Sequence, residues 1–405
     1  MTGAVVTGLG VVAPNGLGAR ACWEATLRTR NAIRPLGLFD AGSYPHRLAG
    51  EVRDFDPAEW VPSRLIPQTD RMTRFALAAA DWALADAALD PASASPLERG
   101  VVTAGSSGGF EFGQRELQNL FRDGPGHVSA YMSFAWFYAV NTGQISIRND
   151  LRGATGVLVA EQAGGIDAIA HARRAVRSGS AMMLTGGMDS SLCPFGMAAH
   201  LARGRLSGVD DPCRAYLPFD RDACGHVPGE GGAILVLEDA GRARARGARE
   251  YGEIAGYGAT FDPPPSSGRP SNLRRAIESA LADAGAAPAD VSVVFADAAG
   301  SPVPDRVEAE ALIEVFGPYG VPVTAPKTML GRLYSGGAPL DVSLALLAME
   351  SGVIPPTTNV TPCHEIDLVC AGPRPFAGTT ALVVARGDKG FNSAMVLHGR
   401  RKDGR

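Results

Sequence analysis

The stretch VLVAEQAGGIDAIAHARRAVRSG, residues 157–179, joins a short apolar segment to an amphipathic one and decides the fold class of this chain. Its pattern predicts a short buried strand at residues 157–160 and a helix from residue 164 onward. The apolar side of that helix carries Ile166, Ile169, Ala170 and Val176. A strand that turns sharply into a helix indicates an α/β protein, in which helices cover the faces of a sheet.

Gln162 lies on the predicted turn between strand and helix. A residue held there faces the N-terminus of a helix, whose partial positive charge and free N–H groups lower the pKa of a thiol and stabilise an oxyanion. The position is therefore typical of a nucleophilic cysteine. A primary amide cannot attack a thioester, so the sequence indicates a catalytic turn that lacks its reacting atom.

The chain also shows an internal duplication. In the first half, AVVTGLGVVAP (residues 4–14), ALADAAL (83–89) and GVVTAGSSGG (100–109) follow as strand, helix and strand. In the second half, YGEIAGYGATF (251–261), ALADAGA (280–286) and VVFADAAGS (293–301) repeat that order. The turn at residues 157–163 recurs at residues 321–327, followed by an apolar helix near residues 340–349. We expect two halves, residues 1–248 and 249–397, which share one site, and a disordered basic tail at residues 398–405.

Composition excludes several classes of function. The 405 residues are 45% hydrophobic and 20% charged, and a net charge of −4 gives no drive toward nucleic acid or anionic membrane. No apolar run reaches the roughly 18 residues of a membrane helix, and the N-terminus has no signal-peptide pattern, which predicts a cytoplasmic protein. The six cysteines form no Cys-x-x-Cys pair and the seven histidines show no metal-ligand spacing, so we expect no metal and no bound cofactor.

An ordered set of motifs resembles the β-ketoacyl synthases of the thiolase superfamily over essentially the whole chain. These motifs are VVTGLGVVAPNG at residues 5–16 with Trp23, GRLSGVDDP at 204–212, and PFDRDACGHVPGEGGAILVLEDAGRARARGA at 218–248. One glycine-rich stretch would be weak support, whereas several motifs in order are specific. The resemblance implies a thiolase-like fold, with duplicated halves in a layered αβαβα arrangement.

Working members of that family use a cysteine and two histidines to accept an acyl group and decarboxylate a malonyl thioester. By motif, Gln162 stands at the cysteine, Asp297 in ADAAGSPVPD at the first histidine, and Arg332 in PKTMLGRLYSGG at the second. Lys327 and Glu308 remain where the family carries a lysine and a glutamate. A carboxylate and a guanidinium can pair but cannot shuttle protons near neutral pH, so we expect Asp297 and Arg332 to form a structural ion pair.

The C-terminal segment ARGDKGFNSAMVL, residues 385–397, departs from the family's glycine-phenylalanine gating turn, because Asp388 and Lys389 replace its small and aromatic residues. With glutamine at the cysteine position and neither histidine present, the chain resembles the chain length factors, which are the beta subunits of type II aromatic polyketide ketosynthases. That resemblance implies a heterodimer with a catalytic alpha subunit. An acyl carrier protein would present its phosphopantetheine to that partner, and the growing polyketide would lie between the subunits.

The segment at residues 108–121 has near-helical apolar spacing and precedes the aromatic run YMSFAWFYAV, residues 131–140. These side chains could be ordinary core. In the resembling family the segment instead walls the product tunnel, which implies the tunnel residues Phe110, Gly113, Leu117, Phe121 and Phe134. Glycine at 113 and leucine at 117, in place of bulkier residues, then predict a long product, decaketide-like or longer, and Gly113→Trp is expected to shorten it.

Two other functions remain open. Gln162 could serve a decarboxylase that acts on malonyl-carrier protein, although such domains keep their histidines. The chain could also be a stand-alone acyltransferase with Cys193 or Cys224 as its nucleophile. His226 in CGHVPGEGG is expected to be a buried imidazole with satisfied hydrogen bonds rather than a catalytic base.

Overall fold

A computed structural model describes residues 3–400 of the chain, and within them the backbone forms sixteen strands and twelve helices. The strands are β1 Ala4–Ala13, β2 Gly16–Leu17, β3 Ile33–Pro35, β4 Leu48–Gly50, β5 Arg99–Ala104, β6 Thr155–Leu158, β7 Met182–Asp189, β8 Gly231–Asp239, β9 Gly252–Phe261, β10 Val293–Phe295, β11 Pro322–Thr324, β12 Val353–Ile354, β13 Asp367–Leu368, β14 Arg374–Pro375, β15 Thr380–Arg386 and β16 Phe391–Gly399. The helices are α1 Ala19–Leu27, α2 Pro57–Trp60, α3 Arg71–Asp86, α4 Phe110–Asp123, α5 Met132–Ala135, α6 Val140–Asn149, α7 Glu161–Arg177, α8 Pro194–Ala202, α9 Ala240–Ala245, α10 Leu273–Ala284, α11 Pro302–Phe316 and α12 Gly337–Ser351.

Two mixed half-sheets carry the fold. The N-terminal one has the order β6-β5-β7-β8-β1, and the C-terminal one has the order β9-β16-β15-β10-β11-β13. They are joined where β1 and β9 pair over two residues only, Val5 with Glu253 and Val6 with Gly252. Because this seam is short, each half-sheet presents one face to the other half across the centre of the molecule.

The space between the half-sheets is filled by α7 and α12. One buried cluster contains Ile166 and Ile169 of α7 together with Leu340 and Leu344 of α12. Almost every residue of α12 is buried, as expected for a helix enclosed on all sides. A second cluster packs α10 and α11 on the outer face of the C-terminal half-sheet, and a third packs α3 on the N-terminal one. The expected αβαβα layering is therefore confirmed.

The duplication has a physical signature in the packing of two strands. A Cβ added at Gly8 of β1 would come within 2.1 Å of the Ala83 carbonyl oxygen on α3. A Cβ added at Gly256 of β9 would come equally close to the Ala280 carbonyl oxygen on α10. Each strand therefore requires glycine where its helix crosses closely, in both halves of the chain.

The structure differs from the sequence-based expectations in three details: where α7 begins, how exposed β6 is, and where the predicted tail starts. Helix α7 begins at Glu161 rather than at residue 164, so Gln162 lies in its first turn. Strand β6 is not buried but half-exposed, because it forms the outer edge of its half-sheet. The first residues of the predicted tail, His398 and Gly399, belong to β16, while residues 401–405 lie outside the described part of the chain. The boundary between the halves after residue 248 stays a prediction.

Among residues 3–400, none of the helices combines the length and the apolar character that crossing a bilayer requires.

Candidate functional site

Gln162 is fully buried in the first turn of α7, where it meets both halves of the molecule. Its Nε2 donates a 2.8 Å hydrogen bond to Oδ1 of Asp297, which follows β10. Its Oε1 finds no hydrogen-bond partner among the described residues and lies next to Gly337, where an added Cβ would be only 2.7 Å away. The amide thus occupies the space between α7 and the start of α12.

The turn that positions Gln162 has an unusual backbone. Glu161, the residue before it, has a φ of 53°, in the left-handed region that side chains other than glycine rarely adopt. Its carboxylate accepts a hydrogen bond from the backbone N–H of Asp388. A strained residue between strand and helix is typical of sites that hold a nucleophile, which suits a catalytic turn whose nucleophile has been replaced.

Asp297 and Arg332 form the expected ion pair. Nη2 of Arg332 lies 3.1 Å from Oδ1 of Asp297, and both side chains are almost completely buried. Burial opposes ionisation of Asp297, but the charges of Arg332 and Lys327 outweigh it and hold the pKa of this carboxyl below its ordinary value. Burial likewise acts against the Arg332 charge, yet Asp297 and Glu161 raise the pKa of this guanidinium above its ordinary value. Both groups therefore stay charged near neutral pH and transfer no protons.

The retained lysine and glutamate hold the backbone around Asp297. Nζ of Lys327 donates to the carbonyl oxygens of Ala296 and Asp297 at 2.6 and 3.1 Å. The Glu308 carboxylate accepts from the backbone N–H groups of Asp297 and Ala298 at 2.7 and 2.8 Å. Burial, followed by the neighbouring Asp297 charge, raises the pKa of Glu308. These groups fix the position of Asp297 rather than of a substrate.

The loop after β15 is tied to the same centre. The backbone N–H of Arg386 donates a 2.8 Å hydrogen bond to Oδ1 of Asp297. The backbone carbonyl oxygen of Arg386 accepts a 2.9 Å hydrogen bond from Nη2 of Arg332. The Asp388 carboxylate pairs with Arg203 and Arg205. Burial acts against ionisation there, but the two arginines hold the pKa of Asp388 below its ordinary value. The segment that resembles a gating turn is thus held by ion pairs.

A cleft of about 460 Å³ reaches this centre from the surface but does not reach Gln162. Its wall includes Ala160, Glu161 and Tyr334, whereas the Gln162 side chain lies behind them. The surroundings of Cys193 are unfavourable to a nucleophile, because burial raises the pKa of its thiol to about 11 and its Sγ accepts from the N–H of Gly196. Cys224 is exposed and lies 3.3 Å from the Ser207 hydroxyl.

His226 is buried, as expected. Burial lowers the pKa of its imidazole well below the ordinary value, and the nearby charge of Arg332 acts in the same direction. Its Nε2 lies 3.5 Å from the Tyr334 hydroxyl, a long contact. An imidazole whose pKa is lowered in this way accepts a proton only weakly near neutral pH.

The second group of predicted residues lies on α4 and the aromatic segment after it. Leu117 and Phe121 line an outer groove of about 640 Å³, and Phe121 is 84% exposed. The alternative that these two side chains are core is therefore wrong for the isolated chain. Nearby, the exposed aromatic side chains are Tyr131, Trp136, Phe137 and Tyr138. An apolar surface of this extent is typical of a protein interface.

The other predicted tunnel residues have different surroundings. Phe110 lines the inner cleft rather than the outer groove. Gly113 is buried, and a Cβ added there would lie 3.5 Å from Cβ of Trp136, so a large side chain would have to displace the aromatic segment. Phe134 is half-buried and packs on Tyr131, with 5.9 Å between ring centroids. The role of these residues in a tunnel stays a prediction.

Asp70 holds the N-terminal end of α4 in place. Its carboxylate caps α3 through the N–H of Met72 and also accepts from the N–H of Phe112 at 2.8 Å. Burial raises the pKa of Asp70 to about 7, although the two backbone hydrogen bonds oppose that rise. Through this contact, the predicted tunnel wall is attached to the core of the N-terminal half.

Sequence reasoning missed several polar groups around the cleft. Ser191 Oγ lies 2.8 Å from Nε2 of His200, and the His200 ring stacks on Tyr334 with 4.5 Å between centroids. Glu161 and Arg203 complete the ion pairs of the loop. No spacing signal could have found these contacts, because the residues come together only through folding, although Glu161 and Tyr334 each lie inside a stretch already singled out.

Comparisons with known proteins agree with this geometry. Residues 2–243 match the β-ketoacyl synthase N-terminal domain family, and residues 251–361 match the corresponding C-terminal domain family. The chain is 57% identical to the actinorhodin polyketide putative beta-ketoacyl synthase 2 of Streptomyces coelicolor, over 97% of this chain and 98% of that protein. It is 58% identical to the tetracenomycin polyketide synthase ketoacyl synthase beta subunit of Streptomyces glaucescens, over 97% of each. The solved ishigamide ketosynthase/chain length factor matches with a TM-score of 0.90 and 26% identity, over 99% of this chain and all of that one.

Proposed function

The chain belongs to the β-ketoacyl synthase family, as a chain length factor of the type II polyketide kind, and we propose that it is the non-catalytic subunit of a ketosynthase heterodimer. In this proposal an alpha subunit with an intact cysteine and two histidines performs repeated decarboxylative condensation of malonyl-carrier protein. The present chain completes the tunnel that holds the poly-β-ketone and limits its length. Its cytoplasmic location stays a prediction.

One observation carries the non-catalytic part of the proposal: the amide of Gln162 donates to a charged Asp297 that is itself paired with Arg332. At the position of the nucleophile, the chain therefore has an amide group whose hydrogen bond is already made to Asp297 of the same chain. The two positions that would supply imidazoles supply fixed charges instead, so acyl transfer lacks both a nucleophile and a proton carrier.

The surface of the N-terminal half supports a partner subunit. Phe121 and the neighbouring aromatic side chains form an exposed apolar surface beside the groove of α4. Strand β6 is one of the two edge strands of the sheet, and a sheet edge offers unpaired backbone groups to another strand. The tetracenomycin relative is named a beta subunit, and the ishigamide structure is a ketosynthase paired with a chain length factor. We therefore place the alpha subunit on this surface.

The carrier protein would deliver its phosphopantetheine to the alpha subunit rather than to this chain. The cleft that approaches the local centre is lined by Arg203 and Asp388, which form an ion pair with each other. At its inner end, Gln162 lies behind the wall of the cleft and offers no thiol. A thioester arm that entered here would find nothing to acylate.

Autonomous decarboxylation is the second candidate, and the geometry is unfavourable to it. A decarboxylating site needs donors aimed at the enolate oxygen as carbon dioxide leaves. One donor of Gln162 is already held by Asp297, and the side chain is enclosed on all sides. A catalytic role for this amide would require the loop at residues 386–390 to move away.

Coexpression with an alpha subunit tests the proposal. The purified chain alone is expected to release no carbon dioxide from malonyl-carrier protein, whereas the heterodimer is expected to form polyketides. Exchanging only this subunit for a relative that makes a shorter product is expected to shorten the product. Turnover by the chain alone, or a product length that follows the alpha subunit alone, would contradict the proposal.

A further inference from the structure

Two cavities lie on opposite sides of one aromatic pair. Phe195 of α8 lines the outer groove, and Phe110 of α4 lines the inner cleft. Their ring centroids are 5.0 Å apart, and the N–H of Phe195 donates to Oε1 of Gln114 at 2.7 Å, which fixes α8 against α4. This contact pairs a ring from the wall of the groove, about 640 Å³ in volume, with a ring from the wall of the cleft, about 460 Å³.

The inner cleft carries neutral hydrogen-bonding groups. Ser191 and His200 are joined by a 2.8 Å contact, and Tyr334 stacks on the His200 ring. Ser106 and Ser107 add two further hydroxyl groups to the wall. Burial, with the nearby Arg203 charge, lowers the pKa of His200 to about 4, so the imidazole is neutral near pH 7. These groups can bind the oxygen atoms of an uncharged ligand.

The remaining residues that line the inner cleft are either apolar or charged. Apolar surface comes from Phe110, Val159, Ala160, Ala199 and Phe391. Arg203 pairs with both Glu161 and Asp388, and Lys389 is exposed next to Asp388 on the same loop, so the charged groups on the wall are neighbours. A cleft with apolar sides and neutral polar groups favours a chain that alternates methylene and carbonyl groups over a charged ligand.

We propose that this cleft is a terminal chamber for the growing product: once the poly-β-ketone has filled the groove along α4, its starter end passes the Phe110–Phe195 pair and enters the cleft. This inference rests on the proposed function and adds a second compartment to it. The ketone oxygens accept hydrogen bonds from the hydroxyl groups around Ser191. Chain growth stops when the starter end meets the wall formed by Ala160 and the loop at residues 387–390.

A filling substitution with a matched control tests the chamber. Ala199 lines the cleft, whereas Ala198, its exposed neighbour on α8, does not. In the heterodimer supplied with malonyl-carrier protein, Ala199→Phe is expected to shift the main product to one or more ketide units shorter, measured by liquid chromatography and mass spectrometry. Ala198→Phe is expected to leave the length unchanged. Equal effects of the two variants, or no effect of Ala199→Phe, would overturn the chamber.

Removing one of the two rings gives a change in the opposite direction. Phe195→Ala removes the volume of one ring, so the groove and the cleft together hold a longer chain and the product is expected to lengthen, while Phe195→Tyr keeps the ring and the length. If the Ala199→Phe heterodimer does not assemble on size-exclusion chromatography, Ser107→Val fills the same cleft with less volume and carries the same expectation. A shorter product from the groove variant Leu117→Trp together with unchanged length in all cleft variants would reject the chamber and leave the proposed function intact. Unchanged length in every variant would reject both.

Discussion

The side-chain amide of Gln162 donates a 2.8 Å hydrogen bond to the buried carboxylate of Asp297, and this bond joins the two halves of the molecule at their shared centre. The donor lies at the start of α7 and the acceptor follows β10, 135 residues further along the chain. Where a working synthase would need a thiol and an imidazole, this chain has a buried hydrogen bond between an amide and a carboxylate.

Replacing Gln162 by glutamate is expected to destabilise the protein in a pH-dependent way. The introduced carboxyl would be buried against Asp297, so its pKa in the folded state would exceed the unfolded value of about 4.3. The variant should be closest to wild type below about pH 4 and should lose stability as the pH rises through the raised pKa. Gln162→Met, which removes the donor without adding charge, should cost about 1 kcal/mol. Chemical denaturation of the heterodimer between pH 4 and 8 measures both, and a penalty independent of pH would contradict the expectation.

Removing one member of the central ion pair is expected to cost more than removing both. Arg332→Met leaves the charge of Asp297 buried, a change typically worth about 3–5 kcal/mol. Adding Asp297→Asn removes that charge and should recover at least half of the loss. A double-mutant cycle measured by urea denaturation checks this. Additive losses would show that the two side chains do not depend on each other.

Asp70 is expected to make stability fall as the pH rises from about 4 to about 7. Its folded pKa of about 7 lies above the unfolded value of about 3.9. The protonated form is therefore favoured in the fold, and its contribution is complete below pH 4 and lost on the way to pH 7. Asp70→Asn should flatten this slope, because asparagine has no group that titrates in this range, while its single amide oxygen can still accept from one of the two N–H groups. Parallel slopes for wild type and variant in pH-dependent denaturation would contradict the assignment.

Filling the outer groove is expected to shorten the polyketide. Leu117 lines the groove, and tryptophan at this position would occupy space that the product chain needs. The heterodimer that carries Leu117→Trp should therefore release products at least one ketide unit shorter, as measured by mass spectrometry. Leu97→Trp adds the same volume at an exposed site outside the groove and serves as the control. The same shift in product length in both variants would contradict the hypothesis that the groove holds the product chain.

A charge on the exposed aromatic surface is expected to weaken heterodimer formation. Phe121→Asp places a carboxylate on the surface where we propose that the alpha subunit binds. Burying that carboxylate is unfavourable, so the apparent Kd should rise at least tenfold in an analytical ultracentrifugation titration. Tyr319→Asp changes an exposed aromatic side chain of the C-terminal half and should leave the Kd unchanged. Unchanged assembly of Phe121→Asp would place the interface elsewhere.

Much of the centre could be predicted from sequence because its residues follow recognisable motifs. The apolar periodicity of residues 157–179 gave the strand and the helix, and the motif order placed Asp297 and Arg332 beside Gln162. The helix boundary could not be predicted as well. The periodicity of apolar side chains does not show where a helix begins when its first residue is polar, as Glu161 of α7 is.

The surroundings of the centre depend on tertiary packing and left no comparable signal. His200 is separated from Tyr334 by more than a hundred residues, and a stacking contact across that distance has no spacing pattern. The exposure of β6 was missed for another reason. An apolar run predicts burial, but an apolar strand at the edge of a sheet can have the same composition and remain half-exposed.

Intact-protein mass spectrometry of the working heterodimer tests the central claim most directly. The complex is supplied with malonyl-carrier protein and stopped during turnover, and each subunit is weighed. Acyl and polyketide adducts are expected on the alpha subunit only, with the mass of the present chain unchanged. An adduct on the present chain, retained in the Gln162→Ala variant or lost from it, would contradict the claim that this subunit shapes the product without reacting with it.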